Sequence, residues 1–94
     1  MKVRMKDLLK ELRFRAVEAL ELSEQTFEEG KYEVAYGYAS EARALVDFAQ
    51  WLAGVSPTAF KVYEQMEMAE LSWVVLDAED KAWRMLRSRQ KEGE

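Results

Sequence analysis

A chain of 94 residues has room for one domain, and burying only about two-thirds of its unfolded surface leaves it dependent on a simple, efficient core. With 49% hydrophobic and 34% charged residues, one proline and four glycines, its composition suits a helical domain better than a disordered or β-rich chain. The absence of Cys and His excludes a thiol nucleophile, a disulfide framework, an ordinary zinc site, a Ser-His relay and an imidazole base, and a net charge of −4 argues against non-specific nucleic-acid binding by the domain as a whole.

The first predicted helix covers about 3–29. Met5, Leu8, Leu9, Leu12, Ala16, Ala19, Leu20, Ser23 and Phe27 recur at three-four spacing and keep one face toward a core. Gly30 follows as the residue that can take the left-handed conformation just past a helix end. The second helix, about 31–53, sets Ala35, Ala39, Ala42, Val46, Ala49 and Ala53 on one line, with Tyr38, Leu45 and Leu52 beside it. A line of small side chains lets neighbours approach closely, so this helix is expected at the centre. Gly54 stops it, and Ser56-Pro57 opens the next helix with a capping hydroxyl and a proline at the first helical position.

From Pro57 to about residue 91 no further Gly or Pro intervenes, which predicts one long third helix. The short connections force antiparallel neighbours. The predicted fold is therefore all-α: a single domain, 1–94, built as an up-down-up three-helix bundle with a long third helix. Charge fits that order. Residues 1–15 hold six basic and two acidic side chains and 16–30 hold five acidic and none basic, whereas 61–80 hold six acids against Lys61 and 81–94 five bases against two acids. Parallel first and third helices would set basic against acidic at both ends.

Two apolar seams run along the third helix. One passes through Val62, Met66, Ala69, Trp73 and Leu76 and meets Asp80; the other passes through Met68, Leu71, Val75, Ala78, Ala82, Met85 and Leu86. At 100° per residue they lie on roughly opposite sides. A two-helix hairpin covers one, so the second seam, with Trp83 at its edge, is the predicted interface with a second copy or another protein. A bend near 71–76 would instead bring both seams to the same hairpin.

Aromatics on the second helix (Tyr32, Tyr36, Tyr38, Phe48, Trp51) and Met66, Met68 and Met85 read as space-filling rather than as a ligand box. Glu64, Glu67, Glu70 and Asp77 fall near one face of the third helix, but a di-metal bundle adds a Glu-x-x-His pair, and there is no histidine. The expectation is no enzyme, cofactor or metal. Asp47 and Asp80 interrupt apolar stretches and are expected to pair with a base across the bundle. Arg84, Arg87 and Arg89 are candidate phosphate contacts should nucleic acid bind. No run approaches the roughly 18 apolar residues of a membrane span, and no apolar leader follows the start, so a cytoplasmic protein is expected. A lack of Cys and Asn beside many Glu, Lys and Arg suits a thermophile.

Gly30-Lys31-Tyr32-Glu33-Val34-Ala35-Tyr36, followed by Glu41-Ala42-Arg43-Ala44-Leu45-Val46-Asp47, resembles the central hairpin of a family of small archaeal all-helical proteins, domain of unknown function 357. The matching positions are Gly30, Tyr32, Ala35, Tyr36, Ala42, Leu45 and Asp47, within residues 15–55. Members often carry a histidine-glycine pair where this chain has Arg43-Ala44, so no role of that histidine transfers. The resemblance implies a helical bundle and an archaeal source, and no established activity.

Overall fold

The computed structural model describes residues 4–92, with side chains through Arg89; the predicted helix start at residue 3 lies outside that range. Within it the chain is all-helical, with four α-helices: α1 Met5–Glu28, α2 Tyr32–Val55, α3 Pro57–Gln65 and α4 Met68–Glu92.

Gly30 closes α1 as its sequence position predicts. Its φ is +79°, its N–H donates to the Phe27 carbonyl at 3.0 Å, and the Lys31 N–H reaches back to the Thr26 carbonyl at 2.9 Å. Those two bonds form a Schellman motif that satisfies carbonyls at the helix end. At the start of α3 the Ser56 hydroxyl accepts the Ala59 N–H at 3.0 Å, with Pro57 in the first turn. The alanine line of α2 is buried throughout, and α2 touches each of the other three helices. Ser23 is buried between α1 and α2 and donates to the Ala35 carbonyl at 2.7 Å.

Contacts fix the sense of the remaining chain. Arg13 lies against Met66 and Phe27 against Lys81, so the segment after Pro57 climbs alongside α1 in the same direction. Tyr36 meets Trp83 and Arg43 meets Glu79, so α2 runs opposite to both. The molecule is elongated, 53 × 21 × 19 Å.

The single long third helix is not what forms. It is broken at Met66–Glu67, where Glu67 takes a left-handed φ of +54°. The Glu67 N–H donates to the Glu64 carbonyl at 3.0 Å, and the Arg13 Nε donates to the Met66 carbonyl at 3.1 Å, so the end of α3 is capped from α1. Gln65-Met66-Glu67-Met68 contains only good helix formers, and local preference therefore opposes the break. Packing drives it. An unbroken helix would continue the line of Val62 and Met66 through Ala69, Trp73 and Leu76 into Asp80 and Arg87. Charges carried inward without partners cost several kcal/mol.

The break resets the phase by roughly half a turn: Met66 and Met68 would stand about 200° apart on a continuous helix, yet both pack inward here. Met68 then follows Met66 inward, and Val75 and Ala82 are buried behind it with Leu71 and Ala78 packed alongside. A left-handed non-glycine residue costs about 1–2 kcal/mol, whereas burying one Met or Val side chain stabilises by about 1.5–3 kcal/mol. The broken path wins because several such side chains are recovered and Asp80 stays in water. The bend expected as the alternative does bring both seams to one hairpin, but at residues 66–67 rather than at 71–76. Both seams serve in part: Val62 and Met66 of the first pack inward from α3 or its end, and the second takes over along α4.

Charge pairing also differs from expectation. Among the described residues no ion pair joins α1 to α3 or α4. Lys81 instead lies over the Phe27 ring, 4.2 Å from its centroid. The ion pair between helices is Arg43–Glu79, at 2.6 Å, from α2 to α4. Asp47 and Asp80 pair along their own helices, with Arg43 at 3.8 Å and Arg84 at 3.0 Å, rather than across the bundle.

Candidate interaction surface

The residues predicted to form an interface on the third helix are mostly inside. Met68, Val75 and Ala82 are buried, while Leu71 and Ala78 are partly buried against the core. Leu86 is half-buried, and only Trp83 and Met85 are exposed. The second seam is therefore this chain's own core, because the phase change at Glu67 turns it toward the hairpin. Trp83, at its edge, is the predicted contact residue that stands well out.

What the same rotation turns outward is the distal part of the first seam. Trp73 is 75% exposed and Trp83 47%, and Leu76 lies between them on the side of α4 nearest α2. There Trp83 meets Tyr36 with ring centroids 5.7 Å apart. Beneath these rings Glu79 accepts from Arg43 at 2.6 Å and from the Ser40 hydroxyl at 3.2 Å. That bond and the neighbouring carboxylate charge hold the Arg43 guanidinium above its usual range. Tyr36, Leu76, Glu79, Asp80 and Trp83 line a shallow cleft of about 360 Å³. An apolar rim over a fixed ion pair is suited to holding a side chain of another protein.

A second apolar face lies on α2. Phe48 and Trp51 stack with centroids 5.9 Å apart, and Trp51 is 62% exposed. Val55 and Phe60 continue this surface around the corner into α3. From Phe48 to Phe60 the sequence has no charged residue, a signal that burial of the alanine line does not explain. At the break, Phe14, 64% exposed, sits over a cleft of about 650 Å³ beside Arg13, Met66 and Glu67.

The candidate phosphate contacts are partly engaged. Arg84 pairs with Asp80 at 3.0 Å, Arg89 lies over the Tyr32 ring at 4.7 Å, and Arg87 is exposed. Glu64, Glu67, Glu70 and Asp77 are exposed and divided by the break; among the described residues no three acidic groups gather as a metal site would require. Every buried side-chain polar atom among those residues has a partner. Burial raises the Tyr63 phenol above its ordinary value, with the Asp47 charge adding to it. No helix among the described residues is long and apolar enough to cross a membrane.

No family model matches the chain, and neither a curated protein nor a solved structure matches it. The hairpin resemblance to domain of unknown function 357 thus rests on its residues alone.

Proposed function

We propose that the domain is a non-enzymatic helical interaction module, self-associating or partner-binding, whose contact surface is the outward aromatic face of α2 and α4 rather than the second seam. In this proposal the fold is an up-down-up three-helix bundle whose third member is α3 followed by α4. A cytoplasmic setting in a thermophile suits a chain without Cys or Asn.

The observation that supports the role most directly is the exposure of all three tryptophans: Trp73 at 75%, Trp51 at 62% and Trp83 at 47%. Tryptophan is on average a highly buried residue, and it is enriched among the side chains that dominate protein contacts. A chain of this size has few large apolar groups to spare from its core. Nucleic-acid association through Arg84, Arg87 and Arg89 is the weaker alternative, because two of these three guanidiniums are occupied within the chain.

The test is a chain in which Trp51, Trp73 and Trp83 are all replaced by Gln. It should keep its helical circular dichroism and melt within a few degrees of the original, as exposed substitutions do. The original chain should associate with itself in light scattering, or retain a protein from extract that the triple variant does not. Loss of folding in the variant, or no difference in association between the two chains, overturns the proposal.

A further inference from the structure

We infer that α2 packs antiparallel against α2 of a second copy of this chain, small residues of one copy receiving the large residues of the other. This rests on the interaction role proposed above and names its partner.

Gly37 is where the inference starts. It lies within the regular part of α2, where a glycine weakens a helix relative to alanine. A Cβ there would meet nothing within 4 Å, so no packing inside the chain requires the glycine. Its open space is on the outer side of α2, the side away from the buried alanine line.

That outer side carries a four-three repeat: Gly37, Glu41, Ala44, Phe48, Trp51 and Val55, all exposed. Such spacing makes one straight seam on a helix. The order 4-3-4-3-4 reads the same in both directions, so an antiparallel pair places every seam position opposite a seam position. Gly37 then faces Val55, Glu41 faces Trp51, and Ala44 faces Phe48. The small half of the seam meets the bulky half twice over, which is the self-complementarity a two-fold contact needs. Glu41 is the seam's single charge, and its carboxylate is placed to accept the indole N–H of the opposing Trp51. With no other charge from Phe48 to Phe60, like charges do not oppose each other at the bulky end.

Area points the same way. Phe48, Trp51 and Phe60 are 45%, 62% and 49% exposed, which at about 150–250 Å² per aromatic side chain offers roughly 350 Å² of ring surface per copy. Two copies, with Val55 and the small-residue backbone between, approach the roughly 1,000 Å² that a specific pair requires.

The chain has no cysteine, so engineered thiols report cleanly. Gly37→Cys and Val55→Cys chains should form a disulfide with each other when mixed and gently oxidised, and neither should cross-link to itself, because in this arrangement two copies of position 37 lie about 27 Å apart. In parallel, Gly37→Leu should raise the melting temperature of the dilute chain through better helix propensity yet weaken association at least tenfold by light scattering, since the new side chain fills the space meant for Val55. Trp73→Gln should leave the mass unchanged. A dimer that survives Gly37→Leu and gives no mixed disulfide overturns the α2 pairing while leaving the interaction role standing on the α4 cleft. A chain that stays monomeric at millimolar concentration overturns the pairing outright, and capture of a different protein that depends on the tryptophans then decides the interaction role separately.

Discussion

Glu67 holds a conformation that side chains with a Cβ avoid, at a cost of about 1–2 kcal/mol, and it does so where Arg13 caps the preceding carbonyl. Glycine is free of that cost but loses more entropy on folding. Glu67→Gly is therefore expected to be neutral or stabilising by up to about 1 kcal/mol in urea unfolding, and Glu67→Val, β-branched at positive φ, destabilising by about 1–2 kcal/mol. Equal loss from both would mean that the left-handed turn is not what sets the phase of α4. Tyr63 supplies a pH dependence. Its folded pKa is raised by burial, so its contribution to stability is complete below the unfolded value of about 10 and is lost as pH rises from there through the folded pKa. Stability should thus fall above about pH 10, and fall less in Tyr63→Phe; an identical alkaline decline in both chains would remove Tyr63 as a cause.

At the scale of helices, the two faces of α4 make opposite predictions. Val75→Asp should abolish or nearly abolish folding, because a carboxylate placed at a position 1% exposed has no partner there. Trp73→Gln, on the opposite side, should change stability by no more than about 0.5 kcal/mol. Circular dichroism melts of the two variants decide between them. Leu71→Glu with Val75→Glu, which would leave a protein folded if the second seam were an interface, is likewise expected to unfold it. The end of α1, the start of α3 and the central place of α2 were legible because Gly30, Ser56-Pro57 and the alanine line each act locally, whereas Gly54 does not stop α2 as expected: the helix runs through it to Val55. The break was not legible, since no residue in Gln65-Met66-Glu67-Met68 signals a stop, and its cause is a comparison of two whole seams against one hairpin. The one visible hint was that the first seam ran into Asp80. From that single error followed the assignment of Met68, Leu71, Val75, Ala78 and Ala82 to an interface they cannot form while packed within their own core. Trp83 kept its exposed place because it lies between the two seams, about 100° from the centre line of the buried one, and so stays on the flank when that seam turns inward.

For the molecule as a whole, the charge segregation along the sequence does less than its pattern suggested. The one ion pair linking described helices is Arg43–Glu79, with the Glu79 side chain 16% exposed and the Arg43 side chain 48% exposed. A double-mutant cycle to Ala at the two positions should give a small favourable coupling that salt weakens; coupling near zero would assign the orientation of α4 to apolar packing alone. Function, on this account, follows from what the core leaves out: a small bundle built on alanine and leucine holds its three tryptophans outside. Tryptophan fluorescence with acrylamide quenching, followed over a dilution series, tests this most directly. All three indoles should emit as solvated groups and be open to quencher in the dilute folded chain, with the Trp51 emission moving to the blue and its quenching falling as concentration rises and the α2 faces pair. Blue-shifted, quencher-protected emission that is already present in the dilute monomer would contradict the account, since the tryptophans would then belong to the core.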